Sequence, residues 1–250
     1  MKKNIEIIIP SKNELDNLKI IIPKIRKMYS YKILVIDKSN NSKPVKKFCE
    51  KFKKIKYLYQ TKNGKGNALR EAAKKAKGNI LVFFDADCSH DPLDIKKLLS
   101  PFLKYKNLDH VGGSRMRGGS DELFADLQHF LRLFGSLLIN YVINLKFKTN
   151  LTDSQNGLRA IKKNVFNKCL TESVHTSIEM ELVSRTLANG YNYIEVPTHE
   201  WARNHGVSKI SLFKHSWSYI FQLLKICFYK QQKKKKKFFY EGELWYTKKR

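Results

Sequence analysis

Asp85 and Asp87 stand two residues apart at the end of an apolar run, in Phe83-Phe84-Asp85-Ala86-Asp87. Two carboxylates just past a buried strand are costly unless a cation meets them. A hard divalent ion that bridges to substrate phosphates fits that demand, because it takes oxygen ligands and needs only one or two protein carboxylates. A plain strand-end aspartate, with Asp87 capping a turn, fits the same residues. Asp37, in Ile36-Asp37-Lys38-Ser39, closes another apolar run. It suits hydrogen bonds from a base or a ribose, and it equally suits a turn. Asn63-Gly64-Lys65-Gly66-Asn67 opens a helical stretch. Two glycines and a lysine at a helix N-terminus suit a diphosphate or the face of a base. The spacing is not that of a P-loop.

These residues have to be positioned by something. Short β-branched or aromatic runs occur at residues 5–9, 32–37, 55–59, 80–84 and 110–114. Helix-like stretches at 14–28, 44–54, 66–76 and 92–104 lie between them. Strand and helix alternating at this spacing predict βαβ units and a mostly parallel sheet with helices on both faces. Ligands of such sheets bind beyond the carboxyl ends of the strands, where Asp37, Asp85 and Asp87 stand. Pro23 is expected to end or kink the first helix. Asp91-Pro92 reads as an N-cap followed by an N1 proline. The second half changes character. An apolar helix at 127–147 is broken by Arg132, Asn140 and Asn144, and a loop at 150–157 follows. A strand at 158–161, a helix at 177–188, a strand at 191–196 and an aromatic-rich helix at 211–229 complete the pattern.

The chain has 250 residues, 42% of them hydrophobic, enough for a sizeable core in one large domain or two small ones. Its net charge of +27 favours anionic partners such as nucleic acid, anionic lipid or phosphorylated substrates. Cys49, Cys88, Cys169 and Cys227 lie far apart, so a zinc ribbon, a redox dithiol and a disulfide framework are not expected. The apolar run near the N-terminus contains Glu6 and is too short for a signal peptide. No uninterrupted apolar stretch approaches the roughly 20 residues of a membrane span.

The motifs Ile7-Ile8-Ile9-Pro10-Ser11-Lys12-Asn13-Glu14, Val35-Ile36-Asp37-Lys38-Ser39, Asn63-Gly64-Lys65-Gly66-Asn67-Ala68 and Phe83-Phe84-Asp85-Ala86-Asp87-Cys88-Ser89-His90-Asp91-Pro92 follow one another in order. Gly112-Gly113-Ser114-Arg115-Met116-Arg117-Gly118-Gly119 and Asp153-Ser154-Gln155-Asn156-Gly157-Leu158-Arg159-Ala160 come next. Together they resemble family 2 glycosyltransferases of GT-A fold, closest to the dolichol- or polyprenol-phosphate mannosyltransferases. The resemblance runs from about Ile5 to Lys209. It implies an inverting transfer from a nucleotide sugar, with Mg²⁺ or Mn²⁺ on the diphosphate. It implies that Pro10, Lys12, Glu14 and Asp37 hold the nucleotide sugar with Gly64, Lys65 and Asp85 nearby, and that Asp85 and Asp87 flank the metal. Arg115, Arg117, Arg203 and Lys209 would face the acceptor phosphate, and Asp153 would lie near the transferred sugar. On this reading Asp87, Asp153, Arg115 and Arg203 form the catalytic set. The chain departs from the pattern at Ser89, where the subgroup often has Gln; serine is a shorter and weaker metal ligand. It departs also at Lys38, where many relatives carry a second acid, and at Leu158, where the family has Phe.

The chemistry separates two kinds of acceptor. A sugar hydroxyl needs a positioned base. A phosphate monoester has a second pKa of about 6, so it is dianionic near pH 7 and needs cationic clamps instead. Glu179 and Glu181, with His175 nearby, suit either a structural role or substrate contact. His90 reads as structural, since hard cations prefer oxygen.

The expected fold is α/β of GT-A type with C-terminal amphipathic helices. The catalytic domain is expected at 1–210, with an interfacial helix at about 121–147. A second amphipathic helix and a polybasic tail are expected at 211–250. Residues 130–142 and 217–229 are shorter than a span and suit interfacial helices, as they suit core packing. Five lysines at 233–237, followed by Phe238-Phe239-Tyr240, would attract anionic lipid at about 1 kcal/mol per residue. The expected partners are a nucleotide-sugar donor, dolichyl or polyprenyl phosphate, an anionic membrane surface and, where peripheral docking does not suffice, an anchoring subunit. The expected place is the cytoplasmic face of a membrane. The main expectation is mannose from GDP-mannose. Alternatives are a UDP-sugar donor (glucose or an aminosugar) or a hydroxyl acceptor. A basic nucleic-acid-binding protein is the rival of another class, supported by charge. No zinc finger, RNP signature or basic zipper accompanies it, and it leaves the strand-end motifs unexplained.

Overall fold

The computed structural model describes residues 4–121, 127–202 and 212–232. Its strands are β1 (Ile5–Ser11), β2 (Lys32–Asp37), β3 (Ile55–Tyr59), β4 (Ile80–Phe83), β5 (His110–Ser114), β6 (Arg159–Lys162) and β7 (Tyr193–Pro197). Its helices are α1 (Leu15–Met28), α2 (Lys43–Glu50), α3 (Lys65–Lys75), α4 (Asp94–Lys104), α5 (Arg115–Gly118), α6 (Leu127–Phe147), α7 (Lys163–Cys169), α8 (Ile178–Ala188) and α9 (Leu212–Cys227).

The strands form one seven-stranded sheet in the order β3-β2-β1-β4-β6-β5-β7. Pairing is parallel except around β6, which runs antiparallel to both β4 and β5. Side chains of a strand alternate between faces, and two cores follow that alternation. Ile7, Ile9, Ile33, Val35 and Val82 pack with α1, α2 and α4 on one face. Ile8, Leu34, Ile36, Leu81 and Phe83 pack with α3, α7 and α8 on the other. Each such fully buried side chain contributes about 1.5–3 kcal/mol. Because β6 is reversed, β5 and β7 run the same way as β1 to β4. The carboxyl ends of β1, β2, β4, β5 and β7 therefore share one edge with the beginning of β6, and the site lies along it.

α1 continues through Pro23 and does not end there. Pro23 and Lys19 both face solvent, so the carbonyl that proline leaves without an amide lies on the wet side of the helix. The regular turns of α4 begin at Asp94 rather than Pro92. Asp91 still acts as a cap, its Oδ1 accepting from the Leu93 amide at 2.8 Å. α7, absent from the sequence reading, fills the interval after β6 and contributes Val165 and Phe166 to the core.

α6, α8 and α9 enclose a third core of Ile143, Phe147, Met180, Val183 and Ile226. The described part of segment 211–250 thus packs on the same body as α6. The four cysteines are unpaired. Among the described residues no helix is long and apolar enough to cross a membrane. The tail residues 233–237 and Phe238, Phe239 and Tyr240 lie outside the described residues.

Candidate active site

The loops after β1 and β2 are knitted together. Ser11 pairs with Asp37 in the β1–β2 register, and the Lys38 amide donates to the Ser11 carbonyl at 2.9 Å. Asn13 takes a left-handed conformation (φ 58°), which asparagine tolerates. Its amide donates to Ser39 Oγ at 2.8 Å, and its Oδ1 accepts from the Asn40 amide at 2.9 Å. Ser39 donates in turn to Asp37 Oδ1 at 2.7 Å. Asp37 is fully buried, and its Oδ2 has no hydrogen-bond partner in the protein. A buried carboxylate oxygen left unmatched at a strand end is a place for a ligand's donor. Pro10 lies in β1 opposite Ile36; Lys12 is exposed, and Glu14 accepts from Asn17 Nδ2 at 2.7 Å. Lys38 reaches away from this pocket, donating to the Gln60 carbonyl at 3.0 Å and the Tyr59 hydroxyl at 3.2 Å.

The glycine-lysine motif opens α3 as expected. Gly64 has φ +98°, and a Cβ there would fall 2.3 Å from the Val174 carbonyl oxygen, so only glycine fits the turn. Lys65 then points at the strand edge. Its Nζ lies 2.7 Å from Asp85 Oδ1, 3.0 Å from Asp85 Oδ2 and 2.8 Å from Glu179 Oε1. Burial works against the ammonium, but the Asp85 and Glu179 carboxylates outweigh it and raise its pKa. Glu179 is buried, and its Oε2 has no protein partner. Gly157 closes the cluster: a Cβ there would stand 2.3 Å from Asp85 Oδ2 and 2.9 Å from Lys65 Nζ.

Asp87 organises the turn that follows. Ser89 donates to Asp87 Oδ1 through its hydroxyl at 2.6 Å and its amide at 3.2 Å. Cys88 between them is left-handed (φ 63°). The turn-capping and cation-binding readings of Asp87 are thus compatible. The donor set fits a hard divalent cation, since carboxylate oxygens two residues apart supply what an ion bound mainly by substrate phosphates requires. Among the described residues no group of three His, Cys, Asp or Glu side chains is arranged to hold a metal by itself.

On the other side of the edge Arg115, at the start of α5, forms a bidentate pair with Asp153. Its Nε donates to Oδ2 at 2.7 Å, its Nη2 to Oδ1 at 3.0 Å, and its backbone amide to Oδ2 at 3.0 Å. Nη1 reaches Glu200 Oε2 at 3.2 Å. Burial would raise the Asp153 carboxyl, yet the Arg115 charge and hydrogen bonds hold it below the usual aspartate range. Glu195 on β7 fixes the loop beneath, accepting from the Thr152 amide at 2.7 Å and the Asp153 amide at 2.9 Å. Burial pushes the Glu195 carboxyl up. Asn140 and Asn144, which break the apolar pattern of α6, hold the same loop. Asn140 Oδ1 accepts from the Ser154 amide at 3.0 Å, and Asn144 Nδ2 donates to the Leu151 carbonyl at 2.8 Å. Arg159, fully buried, donates to the Asn156 carbonyl at 3.1 Å and the Glu179 carbonyl at 3.0 Å.

The two sides meet. His90, buried edge-on against Phe84, has Nε2 4.0 Å from Asp85 Oδ2. It forms a β-bridge with Glu200, and the Trp201 amide donates to the Ser89 carbonyl at 2.8 Å. The structure thus brings Lys65 to Asp85 and Arg115 to Asp153, and joins the pairs through 87–90, Gly157 and 198–201. Arg117 is exposed on α5, and Arg203 and Lys209 lie outside the described residues. Glu181, two residues from Glu179, turns away to the Ser173 amide at 2.8 Å and Arg185 Nε at 2.7 Å. Glu195 and Glu200 escaped the sequence reading. The signal for the loop anchors was present in the four-residue spacing of Asn140 and Asn144 on one helical face.

Comparison with known proteins bears on the family and the fold. An uncharacterized protein of Methanocaldococcus jannaschii is 27% identical over 230 residues, covering 88% of this chain and 93% of its own. The dolichol-phosphate mannosyltransferase of Pyrococcus furiosus is 25% identical over 230 residues; the match takes in 88% of this chain but 64% of that longer relative. The UDP-N-acetylglucosamine–dolichyl-phosphate N-acetylglucosaminyltransferase of Methanococcus voltae is 29% identical over 218 residues, 78% of this chain and 84% of its own. Among solved structures, glucosyl-3-phosphoglycerate synthase from Mycobacterium tuberculosis, in complex with Mn²⁺, UDP and its product, superposes with a TM-score of 0.71 at 18% identity. That superposition covers 90% of this chain and 80% of the other, and shows a shared GT-A-like α/β fold. The model of glycosyl transferase family 2 matches residues 6–170. A match of that length runs from β1 to the end of α7 and takes in Lys65, Asp85, Arg115 and Asp153, so the chain belongs to glycosyl transferase family 2.

Proposed function

We propose that the chain transfers mannose from GDP-mannose to dolichyl or polyprenyl phosphate with inversion. The observation that carries this reading is the meeting, at one sheet edge, of an unmatched carboxylate pocket on the donor side with an arginine-rich turn and the Arg115–Asp153 pair. The relatives from P. furiosus and M. voltae, both named for transfer to dolichyl phosphate, support the acceptor. The second of them favours an alternative donor, a UDP-linked aminosugar.

Asp37 Oδ2 is set to accept from the nucleoside, and Lys65 at the start of α3 to meet the diphosphate. Asp85 and Asp87 would hold Mg²⁺ or Mn²⁺, which when bound supplies the positive charge that stabilises the departing diphosphate. The acceptor phosphate, already dianionic, attacks the anomeric carbon while the bond to the nucleoside diphosphate breaks and its electrons pass to the β-phosphate oxygen. Arg117, Arg203 and Lys209 are the proposed clamps on that phosphate. Asp153, ionised and tied to Arg115, is a poor base. Its proposed role is to orient the sugar and stabilise positive charge developing on it, with Arg115 as its positioning residue.

A lipid-linked acceptor demands docking at a bilayer, and two helices offer the surface. α6 exposes Phe134, Leu138, Tyr141 and Leu145, one face at helical spacing, while its opposite face holds the Asp153 loop. α9, packed beside it, exposes Trp217, Phe221 and Leu224, and Phe228 is exposed just past its end. Apolar faces of this kind suit interfacial burial beside the acceptor.

The test is transfer of labelled mannose from GDP-mannose, beside labelled N-acetylglucosamine from UDP-N-acetylglucosamine, into liposomes carrying polyprenyl phosphate with Mn²⁺. Mannose in the lipid phase, lost with chelator and at least about a hundredfold lower in Asp87→Ala, is the expected result. Incorporation of the aminosugar alone replaces the donor assignment, and no lipid-phase label from either donor overturns the acceptor.

A further inference from the structure

We infer that Lys65 is a built-in counter-ion that covers Asp85 until the divalent cation and the nucleoside diphosphate arrive together. The inference rests on the donor-site reading above. The Lys65 ammonium bridges both oxygens of the Asp85 carboxylate, at 2.7 and 3.0 Å, and so takes the approach that a cation facing that carboxylate would use. A second cation placed there meets like-charge repulsion at short range, in a site where Lys65 and Asp85 are each only about one-fifth exposed. Gly157 presses against the pair from one side, which limits the room for both cations at once.

Glu179 gives the lysine somewhere to stay. Its Oε1 lies 2.8 Å from Nζ, it is buried, and its Oε2 has no protein partner. When Asp85 is claimed by a divalent ion, Lys65 keeps its Glu179 contact and remains at the edge of the site. There a diphosphate oxygen meets it and compensates the added positive charge. Cation and nucleotide are then coupled: each raises affinity for the other, by the same factor. The consequence is a site that holds Mn²⁺ weakly when empty of nucleotide and tightly when filled.

Mn²⁺ binding to the full chain, read by the electron paramagnetic resonance signal of free Mn²⁺, tests this without any turnover. Lys65→Met removes the charge and keeps much of the volume, with Lys65→Gln as a second neutral variant should Met impair folding. In the absence of nucleotide the neutral variant binds Mn²⁺ at least about tenfold more tightly than the wild type. Lys65→Arg, which keeps the charge, stays near the wild-type value, and adding Asp85→Asn to the neutral variant abolishes the gain. Adding GDP or UDP raises Mn²⁺ affinity more in the wild type than in the neutral variant. Equal nucleotide-free affinities, no measurable Mn²⁺ binding in either protein, or a gain that survives Asp85→Asn overturns the inference. Failure of the donor-site reading looks different: neither GDP nor UDP then changes Mn²⁺ affinity in the wild type, while the nucleotide-free gain persists.

Discussion

The two sides of the sheet edge treat buried carboxylates in opposite ways. On the proposed donor side Asp37 and Glu179 each bond through one oxygen and leave the other without a protein partner. On the proposed acceptor side Asp153 and Glu195 use both oxygens. Asp153 is matched by Arg115 and the Gln155 amide, and Glu195 by Thr152, Tyr193 and the Asp153 amide. An unmatched buried oxygen lowers stability until a ligand satisfies it, whereas a matched one fixes geometry. The donor side is therefore organised for something to bind, and the acceptor side to hold a loop in place. The difference matches the division of labour in the proposed reaction, in which the leaving group is bound by many contacts and Asp153 must stand at one defined position.

The contrast is broken most directly at Arg115. Asp153 is 1% exposed, and removing its partner strands a buried charge. Arg115→Ala is expected to lower unfolding stability by about 3–5 kcal/mol, measured by urea titration. A loss under about 1 kcal/mol would mean that the pair behaves like a surface ion pair and that the loop is held by Glu195 and Asn140 instead.

Much of this architecture is legible in the sequence, for stateable reasons. Strands buried on both faces read as continuous apolar runs, and the helices between them as periodic ones, so β1 to β5 and α1 to α4 lie close to where the pattern puts them. The direction of β6 is not legible, because side-chain alternation is the same for either direction. It is decided by α6 and the loop after it, which return the chain to the edge it left and oblige β6 to run backward. Glu179 and Glu181 look alike in sequence. Two residues along a helix turn them to different sides, one toward Lys65 and the other toward backbone amides. Pro23 misleads because its cost depends on which side of the helix it faces. Glu195 and Glu200 are invisible for another reason: their partners Thr152, Asp153 and Arg115 are 42 to 85 residues away, and only the folded sheet brings them near.

The donor side predicts the opposite sign in stability. Asp37→Asn removes a buried charge whose second oxygen is unmatched, so the variant should unfold no more easily than the wild type in urea. It also removes a charged acceptor proposed for the nucleoside, a contact of about 1.5–3 kcal/mol, so the donor KM should rise roughly tenfold or more with kcat little changed. Loss of stability together with an unchanged KM would reverse the assignment, making Asp37 part of the scaffold.

The smallest effect sharpens the acceptor side itself, where neighbouring carboxylates are shifted in opposite directions. Asp153 is held below the ordinary aspartate range: burial opposes its charge, but Arg115 prevails. As pH falls, the unfolded chain takes up that proton first, so the Asp153 contribution is complete above about pH 4 and is lost as pH drops through the lower folded value. Glu195 is pushed up by burial, so its contribution runs the other way, present below about pH 4 and lost as pH rises through its raised folded value. Urea midpoints measured across pH should therefore show two slopes of opposite sign from adjacent loop anchors. Asp153→Asn keeps the shape and one acceptor oxygen, and it should flatten the acid slope while leaving the slope above it in place. If both slopes change together, Asp153 and Glu195 titrate as one coupled unit, and the loop is held by the pair rather than by two separate anchors.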